Sequence, residues 1–436
     1  MAEIVSDASW LQAMLDVEAA LARAQAKLKL IPDGAASEIA AHCRADQFDI
    51  AEIGLAAAES ANPVVPIVRA LRSKVGQDAA PYVHRGTTSQ DILDTAMMLI
   101  VGRALDAMLE DMRSAADSAA SLADRHRSTV MAGRTLLQQA AVTTFGLKAA
   151  GWLTAIIEAR DALTAIRDSQ LAVQLGGAVG TRATLTDGDV EHELASELKL
   201  QRPVLPWHTD RMRVVNLSGQ LAIAAGVMGK IALDIVLLAQ TEVGEVREGG
   251  SGDRGASSTM PQKRNPVDSV EILAAVRGAN AQAGMLLASM VQEHERAAGA
   301  WQAEWRALSE LLLLSGGTTW RAARLLGSLE VDAERMRRNL DLSGGLIMSE
   351  GLVMKLAERT DLLTARALVE AAVSQALGSG QPFKQLVLED ARITQYLRSD
   401  ELARVFEPSS NLGSAAALID RALDHYRSPG TKRTDR

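Results

Sequence analysis

The 436-residue sequence predicts an all-α fold, an elongated bundle of long helices, and three observations carry that expectation. Aromatic residues make up only 3% of the chain while Ala, Leu, Met, Glu and Arg abound. Straight-chain side chains lose little rotamer freedom in a helix, whereas strands favour aromatic and β-branched ones. All 11 prolines fall outside residues 82–202 and 267–381, so long helices can run there without a ring interrupting the backbone ladder. Within those tracts apolar residues recur at steps of three and four, the period of a helix face.

In chain order, the sequence divides into an N-terminal helical domain, 1–101, a central long-helix bundle, 102–340, and a smaller C-terminal helical domain, 341–436, marked by Gly344-Gly345 near its start. The clearest helix opens at Thr88-Ser89-Gln90-Asp91, where Thr88 can cap and Asp91 takes the place of the usual Glu in a capping box. From there Met98, Val101, Leu105, Met108, Met112, Ala115, Ala119 and Leu122 repeat in alternating steps of three and four, the two-row seam of a bundle. If it runs to about Arg127 it is about 58 Å long, too long for a small compact domain. Similar tracts lie near 137–171, 209–247, 267–297 and 301–327. The 209–247 tract is apolar nearly all round, broken by Lys230 and Asp234, and such a helix needs burial on every side. Copies of the same helix from other subunits can supply it, giving a homo-oligomer with a multi-chain helical core; the alternative is a monomer using its own helices. The end, Arg427 to Arg436, is polar with Pro and Gly and reads as disordered.

Composition narrows the function. With 46 basic against 54 acidic side chains the net charge is −8, which argues against nucleic acid or an anionic membrane as partner. The longest uncharged stretch of the most apolar region, 214–229, is shorter than the ~20 residues that span a bilayer. Cys43 is the single cysteine, and the opening residues carry no leader pattern, so a cytoplasmic location is expected.

The densest chemical signal lies in a loop expected to be mobile over 248–262 and in the residues after it. Gly249, Gly250, Gly252 and Gly255 loosen the backbone, Pro261 and Pro266 stiffen its continuation, and a helix starts after Asn265-Pro266. Arg254, Lys263 and Arg264, with Ser257, Ser258 and the loop N–H groups, can bind a carboxylate and stabilise charge that develops on it. The Gly-Lys-Ser/Thr spacing of a phosphate-binding loop is absent. A plain solvated linker would not need Ser-Ser-Thr-Met-Pro-Gln-Lys-Arg-Asn-Pro.

With Tyr82-Val83-His84-Arg85-Gly86-Thr87-Thr88-Ser89-Gln90-Asp91, Gly133-Arg134-Thr135, Gln240-Thr241-Glu242 and Met336-Arg337-Arg338-Asn339-Leu340, this loop resembles the fumarase/aspartase superfamily over nearly the whole chain. Residues 11–24, 62–68, 176–180, 206–209 and 292–296, then Trp301, Glu304 and Trp305, resemble its bacterial cycloisomerase branch. Adenylosuccinate lyase is the runner-up; it shares Lys-Arg-Asn-Pro but usually carries His in segments that here read Ser60-Ala61-Asn62 and Thr135-Leu136.

The resemblance implies a homotetrameric enzyme without cofactor or metal, acting on a small tricarboxylate at sites assembled from three subunits. A proton moves at the carbon beside a carboxylate, and in the cycloisomerase branch the substrate's own carboxylate closes onto a diene as a lactone. Ser257 matches the catalytic serine, with Lys263 beside it. Substrate binding is implied for His84, Thr87, Thr88, Ser89, Arg134, Thr135, Gln139, Lys263, Asn265, His294 and Arg296.

Two departures stand out. Ala256 precedes Ser257 where the family usually has Gly, and neither Leu136 nor Gln139 is the His that lyases and some cycloisomerases carry there. Lactone formation expels no leaving group, so it can dispense with a partner acid. Of the histidines, His84 reads as a substrate contact or a structural bond to its loop, and His208 and His294 stay open between site and structure. His42, His126, His192 and His425 read as surface residues, and no two histidines stand at the i, i+4 spacing of a metal site.

Overall fold

A computed structural model of the chain describes residues 1–185, 188–250 and 254–428. Residues 251–253 of the expected loop and the expected tail beyond Ser428 lie outside the described residues. Helices dominate, as expected, and the long ones are Ser89–Arg125, Phe145–Ser169, Met212–Leu238, Val267–Ala288 and Ala300–Gly327. The 37 residues of the first make a rod of about 55 Å. Its eight seam residues, from Met98 to Leu122, are all 1% exposed or less, so the three-four repeat does face a core.

The chain forms two compact units, each built from three stretches of sequence. The first comprises Met1–Met112, Ala159–Met228 and Ile272–Trp320; the second comprises Arg113–Glu158, Gly229–Glu271 and Arg321–Arg436. Each of the five long helices contributes residues to both, whereas the sequence divides into consecutive segments at 101 and 340. In the first unit Ala20, Leu21 and Ala24 pack with Val173, Leu175, Val190 and Leu194. In the second, Leu352, Leu356, Val369, Phe383, Val387 and Ile393 form a core that Ala132 and Leu340 join.

Two short antiparallel pairs interrupt the helices: Val130–Thr135 with Gln138–Thr144, and Val246–Glu248 with Leu329–Val331. The first corrects the helix expected from about 137. Val130, Thr135, Val142, Thr143 and Thr144 are β-branched and suit a strand, and the helix begins only at Phe145. The tracts expected to reach 247 and 297 also stop short, at Leu238 and Ala288. Gly244 (φ 60°) and His294 (φ 44°) then take left-handed backbone, which a right-handed helix excludes. Met212–Leu238 is long and apolar enough to cross a membrane by length and composition, and 50% of its most apolar window is buried within the chain.

Candidate active site

In the first unit, the Tyr82-to-Asp91 motif ends on the N-terminus of the Ser89–Arg125 helix, whose first N–H groups lack partners within the helix. Asp91 fixes this corner. Its Oδ2 accepts from the N–H groups of Thr88 (3.0 Å) and Gly177 (2.9 Å), and its Oδ1 from Gly176 N–H (2.9 Å) and His208 Nε2 (2.7 Å). The Asp91-to-Thr88 half of the expected capping box is therefore present. The carboxylate also pins segments 176–180 and 206–209 against the helix start, and His208, 4% exposed, spends Nε2 on this structural bond. Only glycine fits at 176, because a Cβ would lie 2.6 Å from His208 Cε1.

Below this corner lies a buried ionic cluster. Arg211, fully buried, forks to Asp94 (2.8 Å) and Glu304 (2.5 Å). Trp301 Nε1 and Gln90 Nε2 also donate to Asp94, and Gln292 Nε2 donates to Glu304. Burial disfavours the guanidinium charge, but the two carboxylates outweigh it and hold Arg211 above its ordinary range. Gln90 passes the order outward: its Oε1 accepts from Arg296 Nε (3.2 Å), whose Nη1 donates to Ala178 O while Nη2 is buried without a partner. His294 sits on an exposed turn, where its carbonyl accepts from Thr209 Oγ1. His84 Nδ1 lies 2.6 Å from Glu18 Oε1 and 3.2 Å from Thr87 Oγ1.

In the second unit, the 130–144 hairpin carries Arg134, Thr135 and Gln139. A register shift at Gly133/Arg134 accompanies the turn of Arg134 toward Glu245, which is fully buried and accepts from Nη2 and Nη1 of the guanidinium at 2.7 and 3.0 Å. Asn339 Nδ2 donates to the same carboxylate, and Gln139 Nε2 donates to Asn339 O. Arg134 and Gln139 thus brace the hairpin, while Thr135 is exposed beside its tip. The tip is Leu136-Leu137, both at positive φ (49° and 65°), the backbone of a two-residue turn that normally selects Asn-Gly. Lys148, one turn into the following helix, is pushed below the ordinary lysine range by burial, against the pull of Asp234.

The loop is tied at both ends. The Glu248 carboxylate caps the Val267–Ala288 helix by accepting from the N–H groups of Asp268 (3.1 Å) and Ser269 (2.9 Å). Arg254, expected among the substrate cations, instead pairs with Asp268, which Arg321 and Arg324 also reach. Gly255 O accepts from both the N–H (2.8 Å) and Nδ2 (3.1 Å) of Asn265, so Asn265 closes the base of a tight hairpin. At its head Ser257 Oγ accepts from the N–H groups of Met260 (3.1 Å) and Thr259 (3.3 Å). Those donors occupy both hydroxyl lone pairs and leave the O–H free to point at a ligand. Lys263 is exposed on the same hairpin, its N–H bonded to Met260 O.

His84, Thr87, Thr88, Ser89, His294 and Arg296 thus belong to the first unit, and Arg134, Thr135, Gln139, Ser257, Lys263 and Asn265 to the second. Sequence reasoning missed Glu18, Glu245 and Lys148, whose surroundings come from distant segments.

Residues 1–283 match the family model described as lyase, and residues 345–422 that described as adenylosuccinate lyase C-terminus. The chain is 44% identical to the 3-carboxy-cis,cis-muconate cycloisomerase of Bradyrhizobium diazoefficiens, over 96% of this chain and 94% of that one. It is also 44% identical to the nitrosuccinate lyase of Streptomyces davaonensis, over 96% of this chain and 91% of that one. The crystal structure of the 3-carboxy-cis,cis-muconate lactonizing enzyme from Pseudomonas putida superposes with a TM-score of 0.93 at 39% identity, covering 98% of this chain and 96% of that one.

Proposed function

The chain belongs to this lyase family, the fumarase/aspartase superfamily, and from that premise we propose that it lactonises 3-carboxy-cis,cis-muconate to 4-carboxymuconolactone in aromatic degradation. One carboxylate oxygen of the substrate adds to the diene, forming the ring C–O bond, and the carbon beside another carboxylate takes up a proton. A trianion becomes a dianion, so each turnover consumes one proton. Ser257 is the proton donor in this reading. The two backbone N–H groups on its Oγ stabilise the alkoxide left behind and so make the hydroxyl a stronger acid. Lys263 stabilises the charge that the substrate carboxylate carries before protonation, and Thr87, Thr88, Ser89 and Arg296 bind the others.

The observation that carries ring closure is the hairpin tip. Leu136-Leu137 offers no acid where a leaving group would need one, and ring closure has no leaving group. A second reading has one observation in its favour, the equal identity to a nitrosuccinate lyase: nitrite departs as a stable anion and needs no acid either. A homotetramer with sites shared between subunits and a cytoplasmic setting complete the proposal. Exposed apolar residues on the long helices support the assembly, among them Ile223 (53%), Leu233 (47%), Met285 (50%) and Trp320 (47%). The single thiol, Cys43, is buried and suits a reducing compartment.

Purified protein should bleach the conjugated-diene absorbance of 3-carboxy-cis,cis-muconate with one proton taken up per molecule; an unchanged band would overturn the reading. The loop geometry adds a second expectation. Gly255 sits at φ +72°, where an added Cβ would fall 2.5 Å from Asn265 O. Gly255→Ala should therefore open the Gly255–Asn265 clasp, at a cost of about 1–3 kcal/mol, and lower kcat at least about tenfold. Steady-state kinetics on a variant with unaltered circular dichroism checks this, and wild-type kcat would contradict it.

A further inference from the structure

We propose that Glu18 is a positioning residue of this site: it fixes His84 as an imidazolium and leaves Nε2–H as a cationic donor for a substrate carboxylate. The inference rests on the polycarboxylate substrate proposed above.

Glu18 lies on the Asp7–Lys27 helix, 1% exposed. A buried carboxylate is costly unless paired, and the hydrogen bond that Glu18 receives is from His84 Nδ1, at the short 2.6 Å of a charge-assisted contact. Its other oxygen, Oε2, is buried without a partner, so the imidazole is what balances the charge. His84 holds left-handed backbone (φ 59°), a conformation that costs a residue with a Cβ about 1–2 kcal/mol. Arg72 secures the preceding carbonyl, Val83 O, at 3.0 Å, and Thr87 Oγ1 reaches His84 O at 3.3 Å. The ring stays 16% exposed and lies beside Thr87, in the motif that also carries Thr88 and Ser89.

The charged groups facing His84 come from three helices: Glu18, Asp91 of Ser89–Arg125 and Arg72 of Val64–Lys74. Burial favours the neutral ring and Arg72 adds to that, but Glu18, with Asp91 behind it, outweighs both and raises the pKa above the ordinary histidine range. Near Glu18, burial pushes the Cys43 thiol up to about 12, so it stays neutral and does not compete as a charged partner. Because the folded-state value is raised, carboxylate binding through His84 is fully present at low pH and is lost as the pH rises through that value.

Glu18→Gln keeps the shape and a hydrogen-bond acceptor but removes the charge. In steady-state assays with 3-carboxy-cis,cis-muconate it should raise KM about tenfold, change kcat less than about threefold, and move the alkaline limb of kcat/KM at least about one pH unit lower. Glu18→Asp should move the limb back toward wild type, which a purely structural bond would not do. His84→Gln should abolish the limb, and this variant carries the test if Glu18→Gln does not fold. A folded Glu18→Gln with wild-type KM and limb, or a His84→Gln that keeps the limb, overturns the role of Glu18 alone. Wild-type protein that leaves the muconate unchanged overturns the substrate reading and this inference with it.

Discussion

Ser257→Ala should lower kcat for lactonisation about a thousandfold, in the middle of the range that a positioned proton donor supplies. Among the described residues of the loop, this hydroxyl has both lone pairs taken by N–H donors while its hydrogen stays free. Removing it deletes the proposed proton donor and leaves the backbone N–H groups aimed at empty space. In the proposed reading the substrate carboxylates are held by other residues, so KM should change little, and an effect confined to kcat marks an interaction made only in the transition state. The variant should melt within about 3 °C of wild type, because the two lost hydrogen bonds lie on a surface hairpin. Rates within tenfold of wild type would remove Ser257 from the chemistry.

The largest effect on stability is expected at Arg211. Asp94 and Glu304 are each 2% exposed or less at the side chain, and Arg211 is the cation between them. Arg211→Met preserves much of the volume but strands two buried carboxylates, and breaking a buried pair in this way costs about 3–5 kcal/mol. The stranded acids will bind protons in the folded state more readily than in the unfolded chain. Stability of the variant should therefore recover as the pH is lowered, opposite to the loss expected of a protein whose carboxylates are paired. Guanidinium chloride unfolding at several pH values measures both the size and the sign. A loss under about 1 kcal/mol, or one that grows with acid, would contradict this view of the cluster. Asp94 also holds Gln90 and Trp301, and Gln90 holds Arg296, so weakened substrate binding should accompany the lost stability.

Much of the helical plan was legible because packing and periodicity agree: the seam from Met98 to Leu122 is buried along its length. The 130–144 hairpin was not. Its tip is Leu136-Leu137, and the Asn-Gly or Asp-Gly that announces such a turn is absent, so the pattern ran on as helix. Ser257, Lys263 and Asn265 stand out in the sequence because they are compressed into one loop. Glu18 and Glu245 do not, since each acquires meaning from a partner far away in sequence: 66 residues separate Glu18 from His84, and 111 separate Arg134 from Glu245. Asp91 was read only as a cap, and its bond to His208, 117 residues on, is what makes it the hub of the first unit's corner. The pairing of Arg254 with Asp268 was not legible for the converse reason, because nothing in the local sequence signals that Asp268 is buried.

The central claim, ring closure rather than elimination, is tested most directly by one comparison. The purified chain is given 3-carboxy-cis,cis-muconate and nitrosuccinate in parallel, with diene absorbance and proton uptake followed for the first and nitrite release for the second. The expected result is a kcat/KM for the muconate at least about a hundredfold above that for nitrosuccinate, with one proton consumed per lactone and both activities lost in Ser257→Ala. Nitrite release with an unbleached diene would contradict the claim while leaving the fold and the serine in place.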